Sequence, residues 1–201
     1  MSETRNDNRS SMTGQEAVRR LIGFLETAHL ARLHSGGLFN AYEKAVQYEL
    51  INSLYAAGLW GATVEHPLPT RSGRCDLVIP LGDDRKLWVE LKMWWFLYKK
   101  SPWQFASVRK VLPWPKGDWE KLECVTKQAH DRAVVLLRFW DDHESAKATS
   151  SAWFTELMHE WQDAPAPEHG DLAAFRSPEA AEATVTLNGC IDVWSSISLE
   201  R

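Results

Sequence analysis

The feature that most limits what this chain can fold into is a pair of alternating segments joined by a short polar turn. Arg74–Leu81 (RCDLVIPL) carries Cys75, Leu77, Ile79 and Leu81 in one phase and Asp76 and Val78 in the other. Lys86–Met93 (KLWVELKM) carries Leu87, Val89, Leu91 and Met93 in one phase and Trp88, Glu90 and Lys92 in the other. Successive side chains of a strand point to opposite faces, so each segment reads as a strand, with Gly82-Asp83-Asp84-Arg85 closing a hairpin. Directly opposed residues of an antiparallel pair have numbers of constant sum. A sum of 166 or 168 keeps the apolar residues on one face, whereas 167 mixes the faces. The turn should therefore hold an odd number of residues, or a bulge should restore the phase. Asp76, Glu90 and Lys92 then project from one face, with the two carboxylates close enough to share one cation.

That trio suits one kind of chemistry. Hydrolysis of a phosphodiester with metal ions needs carboxylates to hold the metal and a cation near the attacking water. Mg²⁺ prefers oxygen ligands and needs only one or two carboxylates, with water and phosphate completing its shell. Glu90 and Lys92 stand about 6–7 Å apart along one strand face. The Leu91 carbonyl between them is a further oxygen donor.

A helix precedes the hairpin. From Asn40 to about Ala57, Val46, Leu50, Ile51 and Leu54 recur at helical spacing, and Gly58 can close it. Glu43 and Gln47 fall on the same face as that stripe, where a buried carboxylate needs a partner.

Glu43, the segment Arg74-Cys75-Asp76-Leu77-Val78-Ile79 and the segment Trp88-Val89-Glu90-Leu91-Lys92 together resemble the PD-(D/E)xK nuclease superfamily. The resemblance covers residues from about 40 to 140, roughly half the chain. It implies a restriction-endonuclease-like αβββαβ core, an α/β fold with a small mixed sheet flanked by helices. It implies a Mg²⁺-dependent nuclease, with Mn²⁺ an acceptable substitute. Asp76 and Glu90 match the family's metal ligands, Lys92 its water-positioning lysine, and Glu43 its variable helix carboxylate. In many relatives the helix after the third strand adds a polar residue, and Asp118, Lys121 or Gln128 stands in that region. One departure is that Cys75 replaces the proline of the family's name.

The remaining elements follow from periodicity. Gln15 to about Leu33 reads as a helix and Ala62–Pro67 as a short strand. Asp118 caps a helix to about His130. Arg132–Trp140 (RAVVLLRFW) reads as a central strand, and Ser150 to Gln162 as a helix. Asp163–Gly170 reads as a linker, and Ala183–Leu199 as strand-rich. Residues 1–14 read as a disordered lead-in and 15–201 as a single domain. Residues from about 94 to 116, with three prolines and no clean period, read as an irregular insertion.

Charge singles out that insertion. Leu91–Gly117 holds six cations and no acid, while the chain has a net charge of −4, which leaves −10 elsewhere. Such a balance excludes a protein that coats nucleic acid by bulk charge. It allows local phosphate contacts by Lys99, Lys100, Arg109 and Lys110. Four of the eleven tryptophans, Trp94, Trp95, Trp103 and Trp114, lie in the same stretch. They fit either core packing or base stacking.

Other classes are disfavoured. Cys75, Cys124 and Cys190 form no CxxC pair, so a structural zinc site is not expected. The histidines show no metal-ligand spacing, and His66, next to Glu65 in a strand near the site, stays open as a site residue. No apolar run nears the roughly 18 residues that span a bilayer, and the polar start lacks a signal core, so a cytoplasmic location is expected. The reading is a nuclease acting on nucleic acid, DNA above all, in restriction, phage defence or repair. The alternative is a nucleic-acid-binding or protein-interaction module that keeps the fold without catalysis. In either case a homodimer or protein partner could dock on the aromatic insertion.

Overall fold

A computed structural model describes residues 12–27, 42–69, 72–81, 84–96, 114–177 and 185–197. The elements are α1 (Gly14–Thr27), α2 (Tyr42–Ala56), β1 (Thr63–Pro67), β2 (Arg74–Pro80) and β3 (Lys86–Phe96). They continue with α3 (Trp114–Lys121), the short α4 (Glu123–Thr126), β4 (Asp131–Asp141), α5 (Glu144–Glu160), β5 (Glu168–Ser177) and β6 (Val185–Ser195). The fold is mixed α/β. Its six-stranded sheet has the order β1-β2-β3-β4-β6-β5. Only β3 and β4 run parallel, and α3 and α4 lie in their crossover; every other pairing among the described residues is antiparallel.

Helices cover both faces, which is why β4 is apolar along its length rather than alternating. Ala133, Val135, Leu137 and Phe139 pack toward α1 and α2 with Leu77, Ile79, Leu87, Val89 and Leu91. Val134 and Leu136 face the other way, against Trp153 and Leu157 of α5. The amphipathic stripe of α2 is buried as expected, including Gln47. Gly58, at φ 81, supplies the left-handed residue after the helix.

Several boundaries differ from the sequence reading. Met12 is buried and Gly14 already opens α1. β3 runs on through Trp94, Trp95 and Phe96 because it pairs with β4 over nearly its full length, from Leu87↔Asp131 to Phe96↔Trp140. Aromatic residues suit such a strand, and Trp94 packs against the cluster of Phe96, Trp153 and Trp194. α3 starts at Trp114, four residues before Asp118, and Pro115 sits in its first turn, where no N–H is needed. α5 starts at Glu144, where the His143 ring accepts from the Ser145 N–H. The expected linker at 163–170 ends in β5. There Gly170 lets α1 approach closely, since a Cβ would lie 3.0 Å from Ile22 Cγ2 and 2.9 Å from Glu26 Oε1. Among the described residues no helix is long and apolar enough to cross a membrane.

Candidate functional site

The candidate site lies where β2, β3 and α3 meet, on the face covered by α3 to α5. The β2–β3 register has the even sum 166: Leu77 opposes Val89, Val78 opposes Trp88 and Ile79 opposes Leu87. Leu81 N–H donates to Arg85 O at 2.9 Å, with three residues between them, and Asp84 has φ 58. An odd loop ending in a left-handed residue is a standard way to hold that phase.

At Asp76 the β1–β2 ladder is interrupted and then resumes in the same register. The paired residues on β1 skip from Val64↔Leu77 to His66↔Cys75. Between them Glu65 has φ 51, a conformation that non-glycine residues rarely adopt. Alternation flips there. Val64 and Leu77 pack on the α1–α2 side, whereas Cys75 joins Trp88, Leu122 and Val125 on the opposite side. The expectation that Cys75 shares a face with Leu77 is overturned by this local irregularity. Its thiol lies 3.2 Å from Val89 O, and burial together with the Glu90 charge pushes it well above the ordinary thiol range. Asp76 sits at the flip, and its Oδ2 accepts the Leu91 N–H at 2.7 Å. A carboxylate thus takes a backbone donor that points toward β2.

Asp76 is 8% exposed and Glu90 is 1% exposed. Burial, then the Asp76 charge, pushes the Glu90 carboxyl up to about 8, against the pull of Lys121. Lys121 Nζ lies 2.5 Å from Glu90 Oε1. Lys92 Nζ lies 3.5 Å from Asp118 Oδ2. Burial also raises Asp118 above the ordinary carboxylate range, opposed by Lys92 and Lys121 and reinforced by Asp76. Asp76, Glu90, Lys92, Asp118 and Lys121 therefore form one electrostatic cluster of three carboxylates and two ammonium groups. Asp118 and Lys121 are three residues apart on α3, so they share a helix face.

Other expected site residues are placed differently. Glu43 is in the first turn of α2, with its side chain outside the described residues. Lys99, Lys100, Arg109 and Lys110 also lie outside them. His66 and His130 flank Trp88, with ring centroids 5.2 and 6.3 Å away, and burial lowers the pKa of both. Among the described residues, no three His, Cys, Asp or Glu side chains converge as a ready ion cage. The set still suits Mg²⁺, which takes one or two carboxylates and keeps several waters. Asp118 Oδ2 is buried, and its contact with the Lys92 ammonium is too long for a good hydrogen bond, so it keeps the capacity to accept from a further donor.

A second polar cluster on this face was not legible in the sequence. Arg138 of β4 donates to both oxygens of the fully buried Asp192, at 2.6 and 3.2 Å, and to Ser150 of α5. His169 Nδ1 stands 2.8 Å from Asp192 Oδ1. Arg138 also stacks over Phe154 at 4.2 Å. Its donors are taken up by this cluster, so it ties β4, β6 and α5 together rather than facing a ligand. The only sequence hint was an arginine inside an apolar strand.

Comparison of the chain with family models, with curated proteins and with solved structures finds no match.

Proposed function

We propose that this chain is a Mg²⁺-dependent nuclease that hydrolyses phosphodiester bonds, with DNA as substrate and restriction, phage defence or repair as setting. The observation that carries the reading is that Asp76 accepts the Leu91 N–H beside Glu90 and its charge acts on the Glu90 carboxyl, with Lys92 two residues further along β3. The element order α2-β1-β2-β3-α3-β4 supports it, because it runs in the αβββαβ order of the PD-(D/E)xK superfamily, with β3 and β4 parallel.

Asp76 and Glu90 would hold the metal, with the Leu91 carbonyl beside them. A Mg²⁺ held there would supply Lewis-acid polarisation of the scissile phosphate and a more acidic bound water. Asp76 has a second task, since its Leu91 N–H bond fixes the carboxylate against β3. Lys92 supplies a cation that orients the attacking water and offsets charge building on the phosphate. Asp118 positions Lys92 by holding its ammonium from α3.

The test is a cleavage assay on plasmid, linear duplex, single-stranded DNA and RNA, each with Mg²⁺, Mn²⁺ or EDTA. Metal-dependent cleavage that EDTA abolishes is expected. Folded protein inert on every substrate, with both metals, overturns the nuclease reading. One observation favours the alternative of a binding module without catalysis: Glu90 is nearly fully buried and already paired with Lys121. In that case nucleic acid binds without being cut.

A further inference from the structure

The Lys121–Glu90 pair has a feature that a simple surface salt bridge lacks. Glu90 is 1% exposed, while the Lys121 side chain keeps 24% of its surface open. The carboxylate is fixed in the sheet, and the ammonium reaches it from a helix on a long flexible stem. A lysine can leave such a contact; a strand carboxylate cannot.

We propose that Lys121 is a tethered stand-in for the divalent cation, holding Glu90 in the metal-free protein and yielding it when metal binds. This rests on the reading of Asp76 and Glu90 as metal ligands. Two observations carry it. First, Lys121 Nζ stands 2.5 Å from Glu90 Oε1, in the first coordination sphere that a metal on Glu90 would need. Ammonium and metal would therefore meet at one carboxylate. Second, Asp118 Oδ2 is buried and meets the Lys92 ammonium only at 3.5 Å, so it can accept from a second donor as well. It lies one turn earlier on the same helix face, and the Lys121 charge already acts on it. The displaced ammonium thus has an acceptor close to where it starts.

The stand-in solves a physical problem. Two buried carboxylates without a cation repel each other and are costly to keep charged. With Lys121 in place the site stays assembled before loading. The consequence is a weaker apparent metal affinity, since loading must break an ion pair.

The test is calorimetric titration with Mn²⁺ of the wild type, Lys121→Met and Glu90→Gln at one pH. Lys121→Met should bind about tenfold tighter than wild type, and Glu90→Gln should lose binding. Binding in Lys121→Met alone supports the proposal in its strongest form. Equal or weaker affinity in Lys121→Met, with wild-type binding that Glu90→Gln abolishes, overturns the role of Lys121 and leaves the metal site standing. Absence of binding in both wild type and Lys121→Met overturns the metal reading itself. Should Lys121→Met not fold, the ¹⁵Nζ resonance of Lys121 in wild-type protein decides. It should shift on saturation with Mg²⁺, and an unmoved resonance overturns the proposal.

Discussion

The surroundings of Glu90 disfavour its charged form, and that is measurable without any substrate. Its carboxyl is raised from 4.5 to about 8 by burial and by Asp76. A group whose pKa is raised on folding contributes stability that is full below its unfolded value and is lost as pH climbs through the folded value. Metal-free protein should therefore lose stability between about pH 4.5 and 8 on account of Glu90. Glu90→Gln should melt higher than wild type at pH 8.5 in EDTA, with the gap closing toward pH 4.5; a gap that ignores pH contradicts the assignment. Asp76 makes a different prediction, because it also accepts the Leu91 N–H. Asp76→Ala leaves that buried donor unpaired and should cost about 1–3 kcal/mol, read by urea denaturation. Asp76→Asn keeps an acceptor and should stay within about 1 kcal/mol of wild type. The shared phase of Glu90 and Lys92 was legible, because alternation along β3 assigns it. The flip that moves Cys75 was not. It falls where Glu65 on the neighbouring strand has φ 51, and a glutamate gives no sign of a left-handed backbone.

At the scale of elements, legibility followed periodicity. α2 and β2 show regular apolar spacing and β4 an unbroken apolar run, and their placement was readable within a few residues. β5 was not, because Gly170 looks like a break in isolation and becomes intelligible only with α1 lying across it. The aromatic end of β3 was obscured for a similar reason: its partner, β4, comes much later in the chain, with α3 and α4 between them. Two glycines separate close packing from mere flexibility. Gly189 of β6 stands between β4 and β5, and a Cβ there would lie 2.8 Å from Arg138 O and 2.8 Å from Leu172 Cδ1. Gly189→Ala should destabilise by about 1–3 kcal/mol. Around Gly23 in α1, a Cβ would meet nothing within 4 Å, so Gly23→Ala should stabilise by about 0.5–1 kcal/mol. Denaturation curves that rank these two variants the other way would contradict the packing of β6. Arg138 ties the same region together. Arg138→Leu strands the buried Asp192 and should cost about 3–5 kcal/mol, more than the double change Arg138→Leu/Asp192→Leu.

For the molecule as a whole, an acidic body carries one basic segment, and Lys99, Lys100, Arg109 and Lys110 within it lie outside the described residues. If they touch phosphates, neutralising any one should lower the salt dependence of nucleic-acid binding by about one unit of slope. A quadruple variant with unchanged slope would assign the segment to another role. The central claim is narrower: Asp76 and Glu90 form a metal site that cuts a phosphodiester. Asp76→Asn tests it most directly, since the substitution spares the Leu91 contact and removes only charge. The measurement is its single-turnover cleavage rate on DNA in Mg²⁺, beside the wild type. The account predicts a folded protein slowed by at least about a hundredfold; an unchanged rate would contradict it.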